Sequence, residues 1–202
     1  TCPSTVTRPC RTLVRQGRVT VDGQVCVDPF AEFKPAGLPF SVDGEDWVYR
    51  EKVYLALNKP AGYECSRSPL HHPSVLSLLP EPLTRRGVQP VGRLDQDSTG
   101  LLLLTDDGQF IHALTSPRRQ IVKVYEVTTK HPVSDALMAA LLAGVALRDD
   151  TEPVAATACV QTGECALRLT LTGGRYHQVK RMIAAAGNRV EALHRVAVGN
   201  YV

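Results

Sequence analysis

No apolar run in this sequence approaches the roughly 20 residues that a membrane-spanning helix needs. The densest, Leu101–Leu104, is only strand-length. The first residues are polar and carry no apolar h-region, so no secretory signal is read there. The six cysteines (Cys2, Cys10, Cys26, Cys65, Cys159 and Cys165) form no C-x-x-C pair. In a chain this long without a secretory signal, that usage fits free thiols in a reducing compartment better than a disulfide framework. There is no internal repeat and no low-complexity tract. The first residue is Thr1 rather than Met and the chain stops abruptly at Val202, a pattern expected of a fragment.

What is present is ordinary for a water-soluble globular chain: 202 residues, 44% hydrophobic and 21% charged. That length suffices for one good core and a small additional module. The net charge of +3 is mild, but its distribution is uneven. Arg8, Arg11, Arg15 and Arg18 all precede the first carboxylate, Asp22. Further cations gather at Arg85–Arg86, at Arg118–Arg119 with Lys123, and at Arg175 with Lys180–Arg181. Such clusters suit a phosphate backbone. Charge alone equally allows solvated surface faces.

The residue pattern predicts two regions. Arg11–Gln16 reads as the end of a basic helix stopped by Gly17. Two β-branched runs around Asp22-Gly23 then form a hairpin with a type I′ turn. A boundary is expected around Pro35–Pro39 and Asp43–Asp46, giving a small module over residues 1–43 and a second domain over 44–202. In the second, strands are expected at Val53–Leu57, Leu101–Leu104, Ile121–Thr128, Pro153–Val160, Cys165–Thr172 and Arg189–Val198. Helices are expected at Ser74–Leu79, Gln109–Leu114, Asp135–Ala143 and Arg175–Ala186. This mixture implies an α+β fold, with a mixed or mostly antiparallel sheet and flanking helices.

Three segments could carry chemistry. Val91–Gly100 packs Arg93, Asp95, Asp97, Ser98 and Thr99 between two glycines, just before a buried strand. Polar groups on a loop held by a rigid strand are a common catalytic arrangement. An Asx turn is the structural alternative. Calcium fits poorly: Asp95, Asp97, Thr99, Gly100 and Asp106 match EF-hand spacing, but the last position lacks a bidentate Glu. At this level the structural and catalytic readings stay open. Gly173–Met182 places Arg175, His177, Gln178, Lys180 and Arg181 at an expected helix start. Cations there oppose the helix dipole, which makes sense if an anion binds. Thr115–Arg119 followed by Lys123-Val124-Tyr125 could hold a phosphate and stack a base. His71-His72 with Cys65 has no second ligand pair, so no metal site is expected.

Together these residues are familiar. Gly92-Arg93-Leu94-Asp95 with Thr99-Gly100-Leu101-Leu102-Leu103-Leu104-Thr105-Asp106-Asp107-Gly108 resembles the signature of bacterial pseudouridine synthases. More narrowly, it is similar to the RsuA branch, which modifies small-subunit ribosomal RNA. Leu57–Tyr63, Lys123-Val124-Tyr125, Gly174–Met182 and Leu193-His194-Arg195 resemble further motifs of that branch, in the same order. The likeness covers about residues 53–199, and residues 5–43 resemble part of an S4-type RNA-binding module.

The resemblance implies a pseudouridine synthase fold and isomerisation of uridine in ribosomal RNA, without cofactor or metal. It implies Asp95 as the catalytic carboxylate, attacking C1′ or removing the C2′ proton. Tyr125 would stack on the flipped base, Lys180 would pair with Asp95, and Leu193 would wall the pocket. Arg93 would sit at the flipping site and hold phosphate, with Arg118, Arg119, Arg175 and Arg181 as backbone contacts. The expected partner is ribosomal RNA or a partly assembled small subunit. A cytoplasmic monomer with no membrane association is expected. One rival is a non-catalytic RNA-binding or ribosome-assembly protein on the same fold; another is a hydrolase using Asp95 with Asp97 or Asp106.

Overall fold

The structure, a computed structural model, describes residues 4–148 and 150–202, with residues 4–9 described by their backbone alone. Cys2 therefore lies outside the described residues, as does the side chain of Arg8. The chain forms two compact units, Thr1–Val53 and Tyr54–Val202.

The first unit opens with helix α1 (Ser4–Arg15), which runs through Pro9 and ends before Gly17 in the left-handed region, φ +68°. Strands β1 (Val19–Val21) and β2 (Gln24–Val25) form the expected hairpin. Asp22 and Gly23 both take positive φ, 50° and 76°, as a type I′ turn requires. The boundary expected at Asp43 falls later, between Val53 and Tyr54. The reason is a second hairpin, β3 (Pro39–Val42) and β4 (Glu45–Val48), which turns at Asp43-Gly44 and pairs with β1. Asp43 and Gly44 repeat the same positive-φ pair, 54° and 83°. Asp43-Gly44 is thus a hairpin turn inside the first unit. Arg18 fixes the hairpin by donating to both Asp43 oxygens, at 2.5 and 2.6 Å.

The second unit is a seven-stranded mixed sheet with helices, as the α+β expectation holds. In chain order it contains β5 (Tyr54–Lys59), α2 (Glu81–Arg85), β6 (Gln89–Pro90), β7 (Thr99–Thr105) and α3 (Gly108–Thr115). Then follow β8 (Lys123–Thr129), α4 (Asp135–Ala143), β9 (Ala158–Gly163), β10 (Ala166–Leu171), α5 (Gln178–Ala185) and β11 (Val190–Val198). The strand order is β5-β7-β11-β8-β10-β9, with β6 also on β7. All pairs are antiparallel except β7 with β11, where Thr99 faces His194 and Gly100 faces Arg195.

That single parallel contact positions the site. Gly100 has φ +103°, and a Cβ there would overlap the backbone of Arg195. Only glycine allows this approach. Side chains stitch the same seam: Thr99 Oγ1 lies 2.8 Å from His194 Nδ1, and Arg195 Nε donates to the Leu101 carbonyl at 2.8 Å. Beneath, Leu102 and Leu104 join Val75 and Val88 in one apolar cluster. Leu167, Leu169 and Leu171 pack with Leu137, Leu141, Met182 and Ile183 in a larger one. Each such fully buried side chain contributes roughly 1.5–3 kcal/mol. This packing clamps α4 and α5 to the sheet.

Candidate active site

The loop between β6 and β7 carries the densest polar chemistry of the second unit, and its backbone is held from below. Lys59, at the end of β5, is fully buried. Its ammonium donates to the carbonyls of Ser98 (2.8 Å), Asp95 (3.0 Å), Pro60 (3.1 Å) and Gln96 (3.3 Å). A buried cation needs such partners. Burial nonetheless lowers its pKa from the ordinary lysine value. Sequence reasoning missed Lys59, because the Lys-Pro-Ala-Gly stretch reads as a break and lysines are rarely interior. The Leu94 N–H adds a long contact to Cys65 Sγ, 3.4 Å.

The loop's carboxylates point the other way, toward α5. Lys180 Nζ lies 3.1 Å from Asp95 Oδ2 and 2.6 Å from Asp97 Oδ1. Burial works against the Lys180 ammonium, but Asp97 and Asp95 outweigh it, and its pKa is raised. Burial likewise opposes the Asp97 carboxylate, yet the Lys180 contact leaves its pKa lowered. The expected Lys180–Asp95 pair is therefore one arm of a fork whose shorter arm is Asp97. The other oxygen of Asp95 faces His177, with Nε2 to Oδ1 at 3.3 Å.

His177 corrects the expected helix. It sits in the left-handed region, φ 47° and ψ 32°, and α5 starts only at Gln178. A helix cannot pass through a residue in that conformation, so Arg175 and Tyr176 lie outside it rather than in its first turn. Gln178 closes the bend, its Oε1 accepting the Arg175 N–H at 2.8 Å. The cations read as a helix start are thus divided. Lys180 meets the loop carboxylates, whereas Arg175 and Arg181 both pair with Asp150, at 2.8 and 3.3 Å.

These groups border a cleft of about 1190 Å³ whose lining includes Arg93, Asp95, Tyr125, His177, Lys180 and Leu193. Tyr125 and Leu193 are 8% and 7% exposed and form its apolar floor. Burial pushes the Tyr125 phenol up from its ordinary pKa, while the neighbouring Arg195 guanidinium works the other way. Arg195, directly opposite Tyr125 across β11 and β8, is itself 3% exposed. Arg93 is exposed at the rim. Arg118 and Arg119 stand exposed on a 3-10 turn, Pro117–Arg119, whose Pro117 and following Gln120 reach the cleft although the two arginines do not line it. On the far rim, Glu64 Oε1 accepts the N–H groups of His71 and His72, each at 2.9 Å. That contact shapes the polar loop that carries His71 and His72. A fixed carboxylate flanked by two cationic or hydrogen-bonding partners, above an apolar floor with one aromatic ring, can receive a planar base and place its sugar against Asp95.

Residues 53–185 match the family model described as RNA pseudouridylate synthase. The chain is 42% identical to "Ribosomal small subunit pseudouridine synthase A" of Salmonella typhimurium over 187 residues, covering 92% of this chain and 80% of that protein. The protein of the same name from Escherichia coli (strain K12) is also 42% identical, with the same coverage. That from Haemophilus influenzae is 37% identical, covering 94% and 81%. Among solved structures, "Crystal structure of pseudouridylate synthase" superposes with a TM-score of 0.72 at 36% identity, covering 95% of this chain and 82% of that one. The sheet, the Asp95 loop and the matched motifs lead to one assignment: the chain belongs to the RNA pseudouridylate synthase family, in its RsuA branch.

Proposed function

We propose that this protein isomerises uridine to pseudouridine in ribosomal RNA, with a site in the small-subunit RNA as its substrate. The observation that carries the reading is Asp95, held by Lys180 on one oxygen and His177 on the other, above the floor of Tyr125 and Leu193. The reaction breaks the N1–C1′ bond, turns the base, joins C5 to C1′ and moves the C5 proton to solvent, while N1 takes up a proton from solvent, so that product and substrate are isomers. A uridine within folded RNA must first be extruded, which costs a few kcal/mol. Asp95 faces the ribose, as nucleophile at C1′ or base at C2′. Tyr125 stacks on the base, Leu193 walls it, and Lys180 orients the carboxylate. Arg93 holds phosphate at the rim, with Arg118 and Arg119 as further backbone contacts; Arg175 and Arg181 would contact the backbone only while shared with Asp150.

The first unit, with Arg11 and Arg15 exposed on its basic helix α1, is taken as a partial S4-like RNA-binding module. A cytoplasmic monomer acting on free RNA or a partly assembled subunit completes the proposal. No helix of the described residues is long and apolar enough to cross a membrane. A hydrolase is disfavoured because Asp95 and Asp97 converge on one ammonium instead of flanking a sugar.

The test is tritium release from small-subunit ribosomal RNA labelled at uridine C5. Release by the wild type and none by Asp95→Asn is expected. Equal release by both would overturn the role of Asp95. Tight binding without release, on bare RNA and on assembly intermediates, would support the non-catalytic alternative.

A further inference from the structure

The proposed reaction accounts for Asp95, Tyr125 and Lys180, but not for an aromatic ring left in the open beside them. Tyr176 is 68% exposed and borders the same cleft. A single exposed tyrosine is unremarkable. This one is held in place. Its ring stacks on His177 with centroids 3.8 Å apart and planes 18° from parallel. His177 in turn is fixed by its left-handed backbone and by Asp95. A non-glycine residue held at positive φ marks a conformation that the surroundings enforce. The result is a two-ring stack beside the cleft with the Tyr176 ring largely open to solvent.

We propose that Tyr176, backed by His177, is a stacking platform for the base next to the target uridine. The proposal rests on the uridine-isomerisation reading given above. The target base itself belongs deeper, against buried Tyr125. When a nucleotide is extruded, its neighbours lose a stacking partner, and an exposed ring at the rim can replace it. Stacking accepts any base, since each has a π face. A cation for the connecting phosphates lines the same cleft, Arg93, exposed at its rim; Arg175 also lines it, shared with Asp150. Because His177 touches both the platform and Asp95, the neighbouring base is anchored at a set distance from the reacting carboxylate.

Tritium release from small-subunit ribosomal RNA first shows that the wild type isomerises, and mapping identifies the uridine. Synthetic RNAs spanning it then carry an abasic nucleoside on the 5′ or the 3′ side. Tyr176→Ala should raise KM roughly tenfold, with the loss confined to KM, and Tyr176→Phe should return KM toward wild type. One of the two abasic RNAs should weaken the wild type by a similar factor and weaken Tyr176→Ala no further. The proposal falls if the two losses multiply in full, if neither abasic RNA matters to the wild type, or if Tyr176→Ala loses kcat alone. If the wild type releases no tritium, isomerisation has failed rather than stacking. Equilibrium binding of the same ribosomal RNA then decides: a matching loss for Tyr176→Ala supports the platform, and equal affinity overturns it.

Discussion

Lys59 and Lys180 reach the Asp95–Ser98 loop from opposite sides, and they hold different parts of it. Lys59 is buried and touches only backbone carbonyls; Lys180 is a quarter exposed and touches the two carboxylates. One sets where the loop is, and the other sets the direction of the carboxylates it carries. A preorganised site needs both, since a carboxylate fixed before substrate arrives requires no reorganisation during the reaction. The contrast teaches that equal formal charge at similar distance from Asp95 can serve position in one case and electrostatics in the other.

Substitutions separate the two roles. The largest effect is expected from removing what both lysines serve: Asp95→Asn should reduce tritium release by about a thousandfold or more, equivalent to roughly 4 kcal/mol of barrier. Its melting temperature and RNA affinity should stay close to wild type. Lys59→Met comes next and should act on stability as well as turnover. Leaving the buried carbonyls without their donor should cost roughly 3 kcal/mol, or about 10 °C in Tm by calorimetry. An unchanged Tm would remove Lys59 from the positioning role. Lys180→Ala should instead lower kcat by about 10- to 100-fold with little change in Tm. A loss confined to KM would make Lys180 a phosphate contact.

The smallest effect concerns pH. The Asp97 carboxyl is held below its usual value because Lys180 outweighs burial, so the folded state keeps this charge to lower pH than the unfolded chain does. Its contribution is present above the ordinary carboxylate pKa and fades as pH falls through the depressed one. The Lys180 ammonium is raised by the same pair; its contribution is complete below the ordinary lysine pKa and is lost as pH rises through the raised one. Asp97→Asn should therefore lower Tm slightly at pH 7, and the gap should close in acid. A gap that widens below about pH 4 would contradict this assignment.

Much of this was legible in the residues, for local reasons. Helix α4 follows its expected bounds because Ser134 caps it, accepting the Leu137 N–H, and Gly144 ends it. The Leu101–Leu104 strand and the Asp22-Gly23 turn were equally plain. The resemblance supplied Asp95, Lys180, Tyr125 and Leu193, and the cleft brings all four together. What stayed hidden depends on partners distant in sequence. Nothing around His177 signals its left-handed backbone or its contact with Asp95. Nothing in Lys59 tells that its ammonium is interior. Arg175 and Arg181 look like free anion binders until Asp150 is seen between them.

The seam at Gly100 has a consequence for how the protein comes to life. Two antiparallel groups of strands, β6-β7-β5 and β11-β8-β10-β9, are joined in the sheet by one parallel pairing, where Thr99–Gly100 lies beside His194–Arg195. The Asp95 loop belongs to one group, while Tyr125, Lys180 and Leu193 come with the other. Each group can gain order through nearer neighbours, but joining them means closing the longest chain loop in the sheet, and such non-local closures are slow. Activity should thus be the last property to return on refolding, trailing the recovery of helix signal, so that turnover itself reports that the sheet has closed.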